Sequence, residues 1–310
     1  MSSTRKVEII LSILIMIFSS CRNPSSKLND PELLPALPVV DAGEVGSLDQ
    51  TCSNLVHAHI DAWKSRDVEN LKQIYTDDIV HFDGEPAFIG IDEVTQMAKN
   101  MWAYFPNWEM KTGETYISYD KCLGEWINWD IFVLSEDKAA IEYDLLELKD
   151  SRIYFWRLFY DQKFHDIFNN FDYVDEDLLR QFAATWTKKS VKEIESLYQE
   201  QGNIEDTLFR VSVQGSDEIS DFIKAFVTQF PNAEWRLLYL FAEDEAGYSF
   251  RETYPFASQG GVFTLSISEK SGSQCEIRLV LVLTSDNDGK IIRQEVFYEA
   301  ESLIECGLAN

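Results

Sequence analysis

The clearest pattern along the chain is a helical spacing of apolar residues that begins shortly after residue 50. Val56, Ile60 and Trp63 stand at i, i+4 and i+7, which places them on one face of a helix. The same spacing returns 123 residues later and ends at Trp186. A second, shorter apolar helix pattern follows both times after the same linker length. The pattern therefore predicts a tandem duplication.

The repeat continues through the turns that follow these helices. Gly-Ile-Asp-Glu-Val at 90–94 returns as Gly-Ser-Asp-Glu-Ile at 215–219. Phe-Pro-Asn at 105–107 returns at 230–232, with the same spacing of 125 residues. The order of helices and turns is therefore preserved between the two halves.

After the Phe-Pro-Asn turns, both halves are rich in β-branched and aromatic residues in alternating patches, which is typical of strands. These runs predict strands at 125–132, 141–148 and 154–160, and at 262–267, 276–283 and 291–298. Asp288-Gly289 between two of the runs is a strong hairpin signal. Each half is thus expected to be α+β, with two or three helices covering one face of an antiparallel meander.

The first twenty residues are typical of a secretory signal. A basic start at Arg5 and Lys6 precedes an apolar run at 9–18, which is too short to span a bilayer as a helix. The run ends in Phe-Ser-Ser-Cys, which resembles the lipobox of bacterial lipoproteins and implies that Cys21 is lipidated and becomes the new N-terminus. The alternatives are an ordinary signal peptide cut near Cys21 and an uncleaved anchor.

The chain is predicted to divide into four segments. Residues 1–21 form a lipoprotein signal peptide, and 22–50, rich in proline and serine, form an extended tether. Residues 51–168 and 172–310 form the two copies of the repeated domain. We therefore expect an exported protein that is held at the outer side of the cell membrane by a lipid anchor.

Charge and motif content narrow the possible partners. The net charge of −26 over 310 residues repels phosphate backbones, so a nucleic-acid partner is not expected. The sequence has no glycine-rich phosphate loop, no Gly-x-Ser-x-Gly elbow and no histidine pair at metal spacing. We therefore expect neither a cofactor nor a metal.

The remaining cysteines are Cys52, Cys122, Cys275 and Cys306, two in each half. Disulfides persist outside the cytoplasm, and pairing within each half would join Cys52 to Cys122 and Cys275 to Cys306. Four cysteines allow three connectivities, and four free buried thiols are equally compatible with the sequence.

Three segments of the first half together resemble the NTF2-like superfamily, especially its SnoaL-like branch: Trp-Lys-Ser-Arg-Asp-Val-Glu at 63–69, Ile-Tyr-Thr-Asp-Asp-Ile-Val at 74–80, and Gly-Ile-Asp-Glu-Val at 90–94. The resemblance covers about residues 51–165 and 175–305. It implies two tandem cone-shaped α+β barrels, in each of which N-terminal helices pack on a curved antiparallel sheet. Such cones leave a pocket at their open end.

The superfamily includes ketosteroid isomerase, polyketide cyclases and dehydratases, and also members that only bind. The resemblance to ketosteroid isomerase places Asp83 at its general base, His59 at its first oxyanion donor and Tyr143 at its second. Each residue also has a structural interpretation. Asp83 precedes Gly84 as in a common turn, His59 is compatible with a satisfied core histidine, and Tyr143 with a core or rim tyrosine.

The second half offers an internal comparison. The repeat spacing leads from these three residues to Asp206, Phe182 and Leu281, so the acid is kept and both donors are lost. Chemistry is therefore expected in the first copy, with the second as scaffold, partner surface or separate apolar pocket. Aromatic residues give the first copy a composition that suits an apolar ligand and equally a large core. The candidate pocket side chains are Trp63, Tyr75, His81, Trp102 and Trp129.

Two functional hypotheses follow. In the first, the lipid-anchored protein binds a small apolar molecule, or its two domains pack on each other as an intramolecular pseudo-dimer. The alternative is a SnoaL-like isomerase, cyclase or dehydratase in which Asp83 is the base and His59 and Tyr143 are the donors. The alternative requires these three side chains to converge on one cavity.

Overall fold

The computed structural model describes residues 41–82, 87–119, 121–129, 140–161, 176–206, 210–242, 257–268, 274–286 and 288–309. The first repeat contains α1 (Ala42–Ser65), α2 (Val68–Ile74), β1 (Tyr75–Phe82), β2 (Phe88–Ile89), α3 (Ile91–Tyr104), β3 (Glu109–Ile117), β4 (Lys121–Trp129), β5 (Ala140–Lys149) and β6 (Arg152–Asp161). The second repeat contains α4 (Glu176–Lys188), α5 (Val191–Glu195), β7 (Tyr198–Asp206), β8 (Val211–Gln214), α6 (Ser216–Gln229), β9 (Glu234–Ala242), β10 (Ala257–Ser268), β11 (Gln274–Ser285), β12 (Ile291–Tyr298) and α7 (Ala300–Glu305). The order of elements in the first repeat thus recurs in the second.

Helix α1 begins earlier than the sequence pattern indicated. The Asp41 side chain accepts a hydrogen bond of 2.9 Å from the backbone N–H of Glu44, which caps the helix. Val45 is fully buried and shares a helix face with Cys52 and Val56. The predicted tether is therefore wrong at residues 42–50, where capping and burial extend the helix. Residues 1–40, which include the predicted signal peptide, lie outside the described residues.

Each repeat contains one antiparallel meander with a parallel strand at its end. In the first repeat β3, β4, β5 and β6 follow in order, β1 pairs parallel to β6, and β2 forms a short ladder with β1. The second repeat has the same pairing, with β9 to β12 as the meander and β7 parallel to β12. The register agrees as well, because Tyr75 lies opposite Ile153 and Tyr198 opposite Ile291. The predicted meanders are confirmed, whereas β1, β3 and their counterparts were missed.

The sheets of the two repeats join at two places. Tyr298 of β12 pairs with Ile117 of β3, and Tyr160 of β6 pairs with Ala242 of β9. Tyr160 and Tyr298 occupy the same position in their repeats, and so do Ile117 and Ala242. The same two positions therefore form both junctions, and the described strands belong to one twelve-stranded sheet.

The buried side chains form two clusters. The larger one lies between the helices and the sheet in both repeats and includes Trp63 and Trp186, each 2% exposed. The smaller one, named the sheet interface, draws on both repeats. It consists of Tyr116, Leu123, Tyr143, Leu145, Phe159, Phe241, Val262, Val280, Val282 and Phe297. Each repeat thus has a core inside its cone, and the two repeats share the sheet interface.

Each repeat contains one disulfide that ties a strand of the sheet to a helical segment. Cys52 of α1 bonds to Cys122 of β4, and Cys275 of β11 bonds to Cys306 after α7. Both pairs have Cα atoms 5.4 Å apart, a separation that disulfides ordinarily span. Of the connectivities left open by the sequence, the structure has the one within each half.

Candidate functional site

A chain of hydrogen bonds runs through the cone of the first repeat. The Trp63 indole N–H donates to the Tyr75 hydroxyl at 2.9 Å, and that hydroxyl lies 2.6 Å from His59 Nε2. The hydroxyl donates to His59 in the imidazole tautomer that carries its proton on Nδ1, because Nε2 then presents a lone pair. His59 is fully buried, and burial lowers its pKa well below the usual value, with a smaller contribution from His81.

Asp144 is the carboxylate that faces this chain. Its Oδ1 accepts a hydrogen bond of 2.7 Å from the Trp156 indole, and its Oδ2 lies 3.8 Å from His59 Nδ1. Asp144 is fully buried on β5. Burial raises the pKa of Tyr75 well above its usual value; the hydrogen bond from Trp63 opposes this shift and the charge of Asp144 adds to it. The Tyr75 hydroxyl therefore stays protonated and serves as a donor.

His59, Tyr75, Asp144 and Trp156 form a buried cluster that His81 completes. His81 lies on β1, next to the strand that carries Trp156. Its ring stacks on Trp156 with centroids 3.7 Å apart, and its Nδ1 lies 3.4 Å from the Trp156 carbonyl oxygen. Burial lowers the pKa of His81 to about 3, although the contact with the Trp156 backbone opposes the shift. His59 and His81 are therefore both neutral near pH 7 and act through hydrogen bonds and packing.

Tyr143 does not belong to this cluster. Its hydroxyl donates to Glu125 at 3.0 Å, and its ring stacks on Phe241 of the second repeat with centroids 4.1 Å apart. Successive side chains on a strand point to opposite faces, so Tyr143 faces the sheet interface while Asp144 faces His59. The predicted site of Asp83, His59 and Tyr143 is therefore wrong in its third member. A count along β5 that is off by one residue moves the side chain to the other face.

The other predicted site residues have mixed outcomes. Trp63, Tyr75 and His81 meet in the buried cluster, and the half-buried Trp102 packs against Trp63 with ring centroids 5.9 Å apart. Asp83 and the side chain of Trp129 lie outside the described residues, so their roles stay predictions. Asp144 was missed, although it directly follows Tyr143 in the strand predicted at 141–148.

The second repeat contains a cavity of about 60 Å³ inside its cone. Apolar side chains of α4, α6, β10 and β11 line most of it, including Trp186, Phe226 and Leu279. Its polar lining comes from Asp206, Gln294 and Tyr298. The cavity therefore presents a small polar region among mainly apolar walls.

Two tyrosines hold the polar groups of the cavity in place. The Tyr298 hydroxyl donates a short hydrogen bond to Asp206, and the Tyr198 hydroxyl donates to Gln294 Oε1 at 2.5 Å. Burial raises the pKa of Tyr298 well above its usual value, and the charge of Asp206 and its hydrogen bond add to the shift. Burial also raises the pKa of Tyr198. Both hydroxyls are therefore protonated donors.

The family model for the SnoaL-like domain matches residues 56–153 and again residues 179–294, which together are more than half of the chain. The chain belongs to the SnoaL-like domain family. The predicted fold class, two tandem α+β domains of NTF2-like type with curved sheets, is confirmed. Comparison with curated proteins gave no match.

Three solved structures with a similar fold each cover less than half of this chain. SalBIII, an epoxide hydrolase/cyclase-like enzyme of pyran ring formation in salinomycin, is 17% identical and covers 40% of this chain and 88% of its own, with a TM-score of 0.33. A ketosteroid isomerase-like protein from Catenulispora acidiphila DSM 44928, in complex with trimethylamine, is 12% identical, with 44% and 96% covered and a TM-score of 0.35. A SnoaL-like polyketide cyclase from Jannaschia sp. CCS1 is 12% identical, with 39% and 92% covered and a TM-score of 0.34.

The strand register explains why the second SnoaL-like domain contains the cavity described above. His81 lies opposite Trp156 in the first domain, and Ile204 lies opposite Gln294 at the same place in the second. The Gln294 amide in the second cone therefore takes the place of the Trp156 indole, which packs inside the first cone. The smaller side chain leaves space between the apolar walls.

Within the described part of the SnoaL-like chain, no helix has the length and apolar character needed to cross a membrane. Within the same residues, no group of three or more histidine, cysteine and acidic side chains is placed to hold a metal ion.

Proposed function

We propose that this chain is an exported, lipid-anchored binding protein whose second SnoaL-like domain holds a small, mainly apolar molecule that carries one polar group. The observation that supports this function is the cavity of the second cone with Asp206 and Tyr298 in its lining. Ligand sites are mostly apolar with a few placed polar groups, which is the composition of this lining.

The size and polarity of the cavity define the ligand. About 60 Å³ exceeds the 10–15 Å³ that one water requires, and is well below the roughly 300–1,000 Å³ of drug-sized sites. The Asp206 carboxylate accepts a hydrogen bond, whereas the Gln294 amide can donate and accept. A molecule of a few heavy atoms with one hydroxyl group, such as a short alcohol, fits both properties.

Ligand-observed NMR with the primary alcohols from ethanol to hexanol tests this function. We expect binding to rise with chain length and then to fall when the alcohol outgrows the cavity. Gln294→Trp, which copies Trp156 of the first cone, should abolish the signal. The exposed Gln96→Trp is the matched control and should bind as the natural chain does. Equal binding by Gln294→Trp and the natural chain would refute the assignment of the ligand to this cavity.

We also propose that the two domains form an intramolecular pseudo-dimer. The two equivalent strand junctions and the sheet interface support it, because Tyr143 pairs with Phe159 as Val280 pairs with Phe297, and all four belong to that interface. Denaturant unfolding followed by tryptophan fluorescence and by circular dichroism should give one coincident transition. Two separate transitions would argue against packed domains.

Export and anchoring rest on the N-terminal pattern and on Cys21. The two disulfides agree with an oxidising compartment outside the cytoplasm. Cys21→Ser should release the protein from the membrane fraction while its fold, measured by circular dichroism, stays unchanged. Persistent membrane association of this variant would instead favour an uncleaved anchor.

A further inference from the structure

A buried charge cluster lies where the first repeat meets the second. Lys121 of β4, with 8% of its side chain exposed, forms ion pairs with Glu295 of β12 and, at 3.2 Å, with Glu147 of β5. Arg293 of the second repeat joins Glu295 at 3.1 Å and Glu205 at 2.8 Å. Burial opposes the charge of Lys121, but Glu295 and Glu147 raise its pKa above the usual value. Lys121 is therefore a cation that depends on an acid from the other repeat.

The equivalent positions of the two repeats form a second contact, with the same strand geometry but different side chains. Lys121 lies opposite Glu147 in the first repeat, and Ser258 lies opposite Thr284 at the same place in the second. Arg157 occupies the strand position that corresponds to Glu295.

The atoms of the second contact meet as those of the first do. The Arg157 guanidinium donates to Ser258 Oγ at 2.7 Å, and Ser258 Oγ lies 2.9 Å from Thr284 Oγ1. One contact thus joins a cation on the first repeat to an acid on the second. The other joins a cation on the first repeat to hydroxyls on the second.

We infer that these two contacts make each repeat specific for the other repeat and disfavour the pairing of a repeat with its own kind. This inference rests on the proposed intramolecular pseudo-dimer and names the partner that each sheet face fits. Two first repeats paired in this geometry would place Lys121 against Arg157, with Glu147 beside the two cations. Two second repeats would place Glu295 against Ser258 and Thr284, so that it keeps Arg293 but loses the lysine that it now meets.

Because the contact is buried, repulsion between like charges is strong there. Lys121 and Glu295 are almost fully shielded from solvent, so salt and water screen their interactions much less than on an exposed surface. A buried charge that loses one of its two partners destabilises the contact, and a like charge in that place adds repulsion. A pairing of identical repeats would carry that penalty at both contacts, because a twofold arrangement creates each contact twice.

Three substitutions of Ser258 in the full chain test this inference, because they change charge at similar size. Ser258→Lys places a second cation beside Arg157, as a pairing of two first repeats would, with Thr284 at the position of Glu147. Ser258→Glu supplies an acid for Arg157, and Ser258→Gln is the neutral control for size. In denaturant unfolding, we expect the folded-to-unfolded ratio of the lysine variant to be at least about 100-fold below that of the glutamate variant, with glutamine between them.

A second change supplies the rescue. Arg157→Glu added to Ser258→Lys recreates the pairing of Lys121 with Glu295 at the second contact. It should restore most of the lost stability, whereas Arg157→Glu alone should not stabilise the chain.

The outcomes separate this inference from the proposal on which it rests. Equal losses for lysine, glutamate and glutamine would overturn the charge specificity while leaving the two repeats packed. Natural stability in all three variants would instead show that Ser258 is not buried between repeats, and would overturn the pseudo-dimer itself. Failure of the Arg157→Glu rescue would also overturn the charge specificity.

Discussion

The two cones share a backbone plan and differ in what fills them. Trp63 and Trp186 are equally buried in equivalent helices, and Tyr75 and Tyr198 begin equivalent strands. The first cone then adds a buried polar network that is closed by large aromatic rings, whereas the second places two buried hydrogen-bonded pairs beside a cavity with mainly apolar walls. Buried polar groups require placed partners, and in the first cone the rings of Trp126 and Trp156 pack against His59. The second cone has space beside its polar groups, so it is the more suitable one for a guest molecule.

The largest expected effect tests whether the two tryptophans are equivalent. Trp63→Ala empties a core position and removes the donor to the Tyr75 hydroxyl, and should cost about 3–5 kcal/mol of stability. Trp186→Ala should also destabilise the chain, but less, because Trp186 already borders the cavity of the second cone. Chemical denaturation of both variants measures the difference. A denaturation curve unchanged by Trp63→Ala would contradict the core assignment. Equal losses of stability in the two variants would contradict the contrast between the cones.

The sequence predicted the repeated helices and the meanders because their apolar periodicity is strong and occurs twice. It missed β1 and β7, since polar residues such as Asp78 give these strands little apolar alternation. It also placed Tyr143, rather than Asp144, in the cone. The face of a strand changes with each residue, and only the observed pairing fixes that register.

The cavity could not be predicted from the sequence, for a different reason. The spacing of the repeat identified Asp206 as a retained acid, but not the space beside it. Cavity volume depends on the packing of residues that are distant in sequence, such as Phe226 and Gln294. Equivalent positions were therefore predictable from the repeat, whereas the space between them was not.

The second prediction concerns pH and a buried histidine of the first cone. The pKa of His81 is about 3 in the folded chain and has its ordinary value of 6.5 in the unfolded chain, and the second cone has Ile204 in its place. Below pH 6.5 the unfolded chain binds the proton more readily, so this contribution to stability is present above that pH and is lost as the pH falls toward 3. The loss should be about 1.4 kcal/mol per pH unit for this histidine.

His81→Leu should remove that part of the slope, measured as the denaturation midpoint between pH 6.5 and 4.5 at constant ionic strength. The exposed His57→Gln is the matched control, because it removes a histidine without changing a buried position. An unchanged slope in His81→Leu would show that His81 is not buried as a neutral ring.

The smallest expected effect tests the last hairpin of each repeat. Asp150 and Ser151 both have positive φ, at 54° and 62°, whereas the corresponding turn of the second repeat uses Gly289 at 71°. A side chain in the left-handed region is strained, and glycine adopts that region readily. Ser151→Gly should therefore stabilise the first repeat by about 0.5–1 kcal/mol, less than the full strain because glycine also loses more entropy on folding. Gly289→Ser is the reciprocal variant and should destabilise the chain by a similar amount. A loss of stability in Ser151→Gly would mean that the serine side chain contributes to the turn more than its backbone strain costs, and that the two hairpins are not equivalent.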